Sequence, residues 1–223
     1  IPDNCVLPSG VPRTDIFCDS EYKAKVQTAF YEKHPQLRGK KIILFAPTFR
    51  GKGQMSAYYP TDKFNPNEIC TALGEDYAII IKLHPFCKEK YEIDESLRDR
   101  IIDLSEADEL NDLLFVTDLL ITDYSSVVFE ASLLDIPMLF YAFDQIMYVS
   151  TRDFYEPYEE IVPGRIIKRF DQLMEAIEKE DYNTDKIDWF IKKNFTYTDG
   201  KATDRVIDLI IGNNKKKDLV DIL

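Results

Sequence analysis

The stretch Leu119-Leu-Ile-Thr-Asp-Tyr-Ser-Ser-Val-Val-Phe-Glu-Ala-Ser-Leu-Leu134 constrains the fold of this chain more than any other. Its apolar start, Leu119 to Ile121, reads as a buried strand that stops at Thr122-Asp123. After two serines the apolar residues Val127, Val128, Ala131 and Leu134 fall at helical spacing. A strand that ends in small polar residues and feeds directly into a helix can trap an anion. The first helical amides have no intrahelical acceptor, and the helix dipole puts partial positive charge beside them. Ser125 and Ser126 add hydroxyl donors at the same place. The competing reading is plain helix capping, which Asp and Ser favour on local grounds.

The rest of the chain repeats the pattern. Further strands are expected at Ile42–Ala46, Ala78–Leu83, Ile101–Leu104 and Met138–Tyr141. Helices are expected at 21–33, 67–73, 109–116, 125–134, 170–179, 187–195 and 202–211. Short apolar strands alternating with helices imply an α/β fold, a Rossmann-like parallel sheet flanked by helices. Ligands of such sheets bind beyond the carboxyl ends of the strands.

Three of those ends carry chemistry. The first runs into Pro47-Thr48-Phe49-Arg50-Gly51, the second into Lys82-Leu83-His84-Pro85, the third into the Asp-Tyr-Ser-Ser turn. Lys82 and His84 share a face by strand alternation. If the sheet is parallel, cations and a helix N-terminus meet on one rim, which suits a diphosphate. Residues 51–60 read as a polar loop, either a cover over that rim or ordinary surface.

Composition narrows the ligand. A net charge of −12 argues against a nucleic-acid surface, while leaving room for a small phosphorylated molecule. Cys5, Cys18, Cys70 and Cys87 lack C-x-x-C spacing and read as free thiols in a reducing compartment. There is no G-x-G-x-x-G, no Walker loop, no nucleophile elbow and no H-E-x-x-H. With two histidines and no ligand cluster, no protein-bound catalytic metal or cofactor is expected. Lys215-Lys216-Lys217 reads as a solvated tail. Ile1-Pro2-Asp3 is not a natural start, so the chain reads as part of something longer.

Five stretches together resemble the carboxyl-terminal half of the CDP-glycerol glycerophosphotransferases of teichoic acid biosynthesis. They are Gly10-Val-Pro-Arg-Thr-Asp15, Ile42-Ile-Leu-Phe-Ala-Pro-Thr-Phe-Arg50, Lys82-Leu-His-Pro85, Thr122-Asp-Tyr-Ser-Ser-Val-Val-Phe-Glu130 and Asp199-Gly-Lys-Ala-Thr-Asp-Arg205. Glu130 departs from the pattern, since the family commonly has Asp there.

The resemblance implies the donor-binding domain of a GT-B architecture. It divides the chain into a lead-in from a missing N-terminal domain (1–20), a Rossmann-like domain (21–185) and closing helices (186–223). It implies transfer of glycerol phosphate from CDP-glycerol to a lipid-linked teichoic acid acceptor with release of CMP; CDP-ribitol is the close alternative. Other readings are a nucleotide-sugar GT-B transferase and a non-catalytic nucleotide-binding module. By resemblance His84, the candidate catalytic residue, contacts the donor diphosphate with Ser125 and Ser126, and Arg50, Lys82 and Asp123 lie in or near the site. The acceptor's base belongs to the missing half. The whole protein is expected in the cytoplasm, peripheral on the inner face of the membrane.

Overall fold

The computed structural model describes residues 6–152 and 154–210. Six strands form one parallel sheet: β1 (Lys41–Phe45), β2 (Tyr77–Ile81), β3 (Ile101–Asp103), β4 (Leu119–Thr122), β5 (Met138–Tyr141) and β6 (Arg165–Ile167). Their order is β3-β2-β1-β4-β5-β6, the doubly wound arrangement in which the direction of winding reverses between β1 and β4. Phe45 pairs with both Ile81 and Ile121, and Thr122 with Phe140, so the carboxyl ends lie level along one rim.

The helices are α1 (Ser20–Lys33), α2 (Pro66–Leu73), α3 (Leu110–Leu114), α4 (Val127–Leu133), α5 (Gln145–Thr151), α6 (Phe170–Glu178), α7 (Lys186–Asn194) and α8 (Ala202–Ile210). Strand alternation sorts the apolar side chains into two cores. Ile42, Leu44, Ile80, Leu120 and Phe140 face the side covered by α1, α3, α4 and α7. Ile43, Phe45, Ile79, Ile81, Ile121 and Leu139 face α2 and α6. Burial on both faces explains why the central strands read as continuous apolar runs. Each fully buried side chain of this size contributes about 1.5–3 kcal/mol.

Helix ends follow local chemistry. Asp19 accepts from the amides of Glu21 and Tyr22 to start α1. Asn65 accepts from the Glu68 amide ahead of Pro66, and Gly74, at φ 73°, ends α2. Arg100, buried, donates to the carbonyls of Cys70 (3.0 Å) and Gly74 and so satisfies acceptors at that end.

Two of the five family-like stretches are spent on a clasp between the ends of the described chain. A short 3-10 helix, Pro12–Cys18, packs against α8. The Asp15 carboxylate accepts from the Ala202 and Thr203 amides at 2.9 and 2.7 Å and so caps α8 from 187 residues away. Arg205 donates to the Ser9 carbonyl and grips Asp199 with both arms of its guanidinium. That hydrogen-bonded pair holds the Asp199 carboxyl down at about 2. Gly10 (φ 82°) and Gly200 (φ 67°) make the close approach possible: a Cβ would lie 3.0 Å from Ala202 Cβ and 2.7 Å from Cys18 Cβ, respectively. Arg13 reaches across to the buried Glu130 on α4, tying the lead-in to the sheet layer.

Strands β4 and β5 match their expected limits, and β1 to β3 differ by one or two residues. Two elements went unread, α5 and β6. Strand β6 has only three residues, and α5 exposes Ile146 and Met147, which erases its amphipathic signal. The polar loop after Arg50 is also less loose than its composition suggests. Arg50 and Tyr58 pair as an antiparallel bridge, and Tyr59 is buried against Phe45, correcting the reading of residues 51–60 as wholly outside the core. Ile211 and the lysines at 215–217 lie outside the described residues.

Candidate functional site

Where the winding reverses, the loops after β1 and β4 diverge and leave an open cavity of about 830 Å³. Pro47 to Phe49 form one wall, Lys82 to Pro85 the next, and residues 105–110 the outer edge. Tyr124, Ser125 and Ser126 close it beneath α4. All three strand ends singled out in the sequence therefore reach the same place.

The six expected residues do not share one role there. His84, Ser125 and Ser126 line the cavity. The Ser125 hydroxyl accepts from the Val127 amide at 3.3 Å, whereas Ser126 is exposed and makes no capping bond. The amides of Ser125 and Ser126 meet no acceptor among the described residues, so this turn offers directional donors to the cavity.

His84 sits in a tight turn. Its carbonyl accepts from the Cys87 amide at 2.8 Å and its ring Nδ1 from the Phe86 amide at 3.2 Å. Phe49 and Phe86 pack on the ring with centroids 4.7 and 4.5 Å away. Burial lowers the imidazole pKa.

Lys82 lines the cavity with its stem but turns its ammonium into the loop after β3. Nζ donates to the carbonyls of Leu104, Ala107 and Asp108 at 2.9, 2.7 and 2.7 Å. Burial lowers its pKa, against the pull of Glu109, Asp108 and Asp103. The ammonium thus shapes the outer wall of the cavity.

Arg50 and Asp123 lie behind the wall. Arg50, expected in or near the site, has its guanidinium already engaged. Nε and Nη2 hold Asp144 at 2.6 and 2.8 Å, Nη1 donates to the Thr48 carbonyl, and Asp123 Oδ2 lies 2.9 Å from Nη1. The rings of Tyr59, Tyr124, Phe143 and Tyr148 surround it at 5.1–5.5 Å. Burial alone would lower the Arg50 pKa; the Asp144 hydrogen bonds and both carboxylate charges reverse that and hold the cation above its ordinary value.

Asp123 is 1% exposed, and its Oδ1 accepts from the Thr48 and Tyr124 amides at 2.7 and 2.6 Å. Burial pushes its carboxyl up, against Arg50 and those amides. One carboxylate thereby ties the β1 loop to the β4 turn across the reversal point. Tyr158 donates to the Asp123 carbonyl, and Tyr124 to Asp144.

Asp144 was missed in the sequence. The available signal was an acid three residues past the β5 run, at the N-cap position of a helix whose periodicity is obscured by its exposed apolar residues. On the far side of the Ser125–Ser126 turn lies a second cavity, about 380 Å³, with Tyr124, Phe129, Phe154 and Tyr155 among its walls.

A doubly wound sheet with free amides, hydroxyls and an imidazole at its reversal point defines a Rossmann-like domain suited to a phosphorylated donor. The comparisons make the class specific: the chain belongs to the CDP-glycerol:poly(glycerophosphate) glycerophosphotransferase family, whose model matches residues 1–212. It is 42% identical over 214 residues to the teichoic acid ribitol-phosphate polymerase TarL of Staphylococcus aureus, covering 96% of this chain and 38% of that protein.

Against the teichoic acid glycerol-phosphate primase of Bacillus subtilis identity is 37% over 210 residues, covering 94% of this chain and 52% of that protein. Among the relatives compared, those named for ribitol phosphate are 41–45% identical, and those named for glycerol phosphate 29–37%. The solved wall teichoic acid polymerase TagF superposes with a TM-score of 0.76 at 26% identity, over 100% of this chain and 55% of that one. The chain thus spans between about a third and just over half the length of the curated relatives it matches.

Proposed function

We propose that this chain is the donor-binding part of an enzyme that transfers a polyol phosphate from a CDP-polyol to a hydroxyl of a teichoic acid chain. One observation carries the reading: at the sheet's reversal point an open cavity gathers His84, Ser125, Ser126 and the uncommitted Ser125 and Ser126 amides. Such donors match a diphosphate, and the family supplies the cytidine diphosphate chemistry.

In this reaction the acceptor oxygen attacks the phosphorus that bears the polyol. The bond from that phosphorus to the oxygen shared with CMP breaks, and CMP leaves with the electron pair. The acceptor's proton passes to a base that the resemblance assigns to the family's first half. Hydrogen bonds to the diphosphate lower the barrier by holding charge that builds on CMP. Within this reading Lys82, Arg50 and Asp123 position the walls, and His84, Ser125 and Ser126 touch the donor. The division into lead-in, donor-binding layer and closing helices is part of the same proposal.

CDP-ribitol is the preferred donor, because the relatives named for ribitol phosphate are the more similar group. Calorimetry of this chain with CDP-ribitol, CDP-glycerol, CMP and a UDP-sugar tests it. Both CDP-polyols should bind, CDP-ribitol more tightly, and the UDP-sugar weakly. Equal or tighter binding of the UDP-sugar would favour a nucleotide-sugar transferase instead.

A further inference from the structure

Resting on the donor-binding reading, we propose that His84 works as a neutral hydrogen-bond donor of fixed tautomer: Nε2–H serves the diphosphate while Nδ1 is held by the Phe86 amide. It neither removes a proton from the acceptor nor needs to become charged to bind the donor.

The turn enforces this. Pro85 supplies the fixed φ that suits the second position of a β-turn, and the turn closes through the Cys87 amide on the His84 carbonyl at 2.8 Å. The same turn aims the Phe86 N–H at Nδ1, 3.2 Å away. A backbone N–H can only donate, so Nδ1 must present its lone pair. In a neutral imidazole the other nitrogen then carries the hydrogen. Phe49 and Phe86 pack against the ring and oppose the flip that would exchange the nitrogens.

Adding a second proton would set Nδ1–H against the Phe86 N–H and leave a backbone amide unpaired. Adjacent Pro85 and Phe86 thus make the histidine a donor for a structural reason.

The charges around the ring do not reverse this. Lys82, on the same strand end, turns its ammonium onto the Leu104, Ala107 and Asp108 carbonyls. From the loop after β3 come Glu106, Asp108 and Glu109; Glu106 is paired with Lys90 and Asp108 with Lys33. The β1 loop contributes Phe49, over whose ring the Arg152 guanidinium lies 5.0 Å from the centroid while donating to the Gly51 carbonyl. The β4 turn contributes Tyr124, whose hydroxyl is committed to Asp144. Lys88 and Glu89 follow in the same segment. Burial independently disfavours the charged ring. The opposing influence is the bound diphosphate, whose negative charge attracts a proton.

The test is nitrogen-15 spectroscopy of the histidine rings in this chain, free and saturated with CDP-ribitol. His34→Gln identifies the His84 signals, since the chain has two histidines. The expected result is a protonated Nε2 and unprotonated Nδ1 from about pH 6.5 to 8, around and above the ordinary imidazole pKa, unchanged by donor. Donor affinity should vary by less than about twofold across that range, against up to about tenfold per pH unit if binding required the imidazolium. An Nδ1–H tautomer in the free chain, or an imidazolium in the complex at neutral pH, would overturn the proposal. Failure of every CDP-polyol to bind would remove the donor-contact role together with the donor-binding reading. The free-chain spectra would still read the tautomer, so the two failures are distinguishable.

Discussion

Replacing Arg50 by Met separates a structural cation from a phosphate ligand. The guanidinium is 8% exposed and engages Asp123, Asp144 and the Thr48 carbonyl. Methionine keeps much of the stem's apolar volume but leaves two neighbouring carboxylates without their cation. Breaking a buried pair on one side costs about 3–5 kcal/mol. The low end applies here, because Asp123 keeps its two amides and Asp144 keeps the Tyr124 hydroxyl. For a domain of this size each kcal/mol moves Tm by about 2–4 °C, so a fall of roughly 6–12 °C is expected.

The sign of the pH dependence adds a second signature. With the cation gone, the Asp123 carboxyl, already pushed up by burial, loses the charge that opposed that push, and its folded-state pKa rises further above its unfolded value. The folded state then binds more protons than the unfolded one, so the deficit relative to wild type shrinks as pH falls through the raised pKa. The recovery is about 1.4 kcal/mol for each pKa unit of added shift. Urea unfolding at pH 7.5 and 5.5, with donor titration under native conditions, measures both. A Tm within about 2 °C of wild type, less than about 1 kcal/mol, combined with collapse of donor affinity would refute the buried-clamp account. Arg50 would then be a rim ligand after all.

Ser126→Ala should weaken donor binding and leave Tm unchanged, because its hydroxyl makes no capping bond. Ser125→Ala should do both, losing up to about 1 kcal/mol of stability with the bond to Val127; thermal melts and calorimetry on the two single variants check this. Asp15→Ala should cost about 1 kcal/mol or more by uncapping α8, and hydrogen exchange of the Ala202 and Thr203 amides should accelerate. Unchanged exchange would mean the clasp does not depend on that carboxylate. His34 and His84 both have pKa values lowered by burial. Their unfolded forms therefore take up protons first: the stability they carry is full above about pH 6.5 and is lost on acidification below it. Urea midpoints from pH 8 to 5.5 should fall accordingly, with a shallower slope in His34→Gln.

The sheet was legible because its central strands are buried on both faces and α1 and α2 open on the capping residues Asp19 and Asn65. Leu119–Ile121 and Met138–Phe140 are unbroken apolar runs, and small or polar residues lie close after them. The cavity was legible for the same reason, since parallel strands bring their chemistry to one rim. What the sequence could not disclose is direction at the level of side chains. Arg50 and Lys82 read only as cations in or near the rim; in the fold, Asp144 holds the first and the carbonyls of the loop after β3 hold the second. Asp144 lies 94 residues from Arg50 in the chain, and no local pattern pairs the two. The two outer family-like stretches likewise gave no sign of being partners, because a cap donated across 187 residues has no local signature.

The most direct measurement of the account is a crystal structure of this chain with CDP-ribitol bound. The diphosphate should lie in the cavity between β1 and β4, within hydrogen-bond distance of His84 Nε2 and of the Ser125 and Ser126 amides or hydroxyls. Arg50 should remain on Asp144 and Asp123, and Lys82 on the loop carbonyls. A diphosphate bound to an Arg50 released from Asp144, or a donor seated in the aromatic cavity beside Tyr155 with the rim empty, would contradict it.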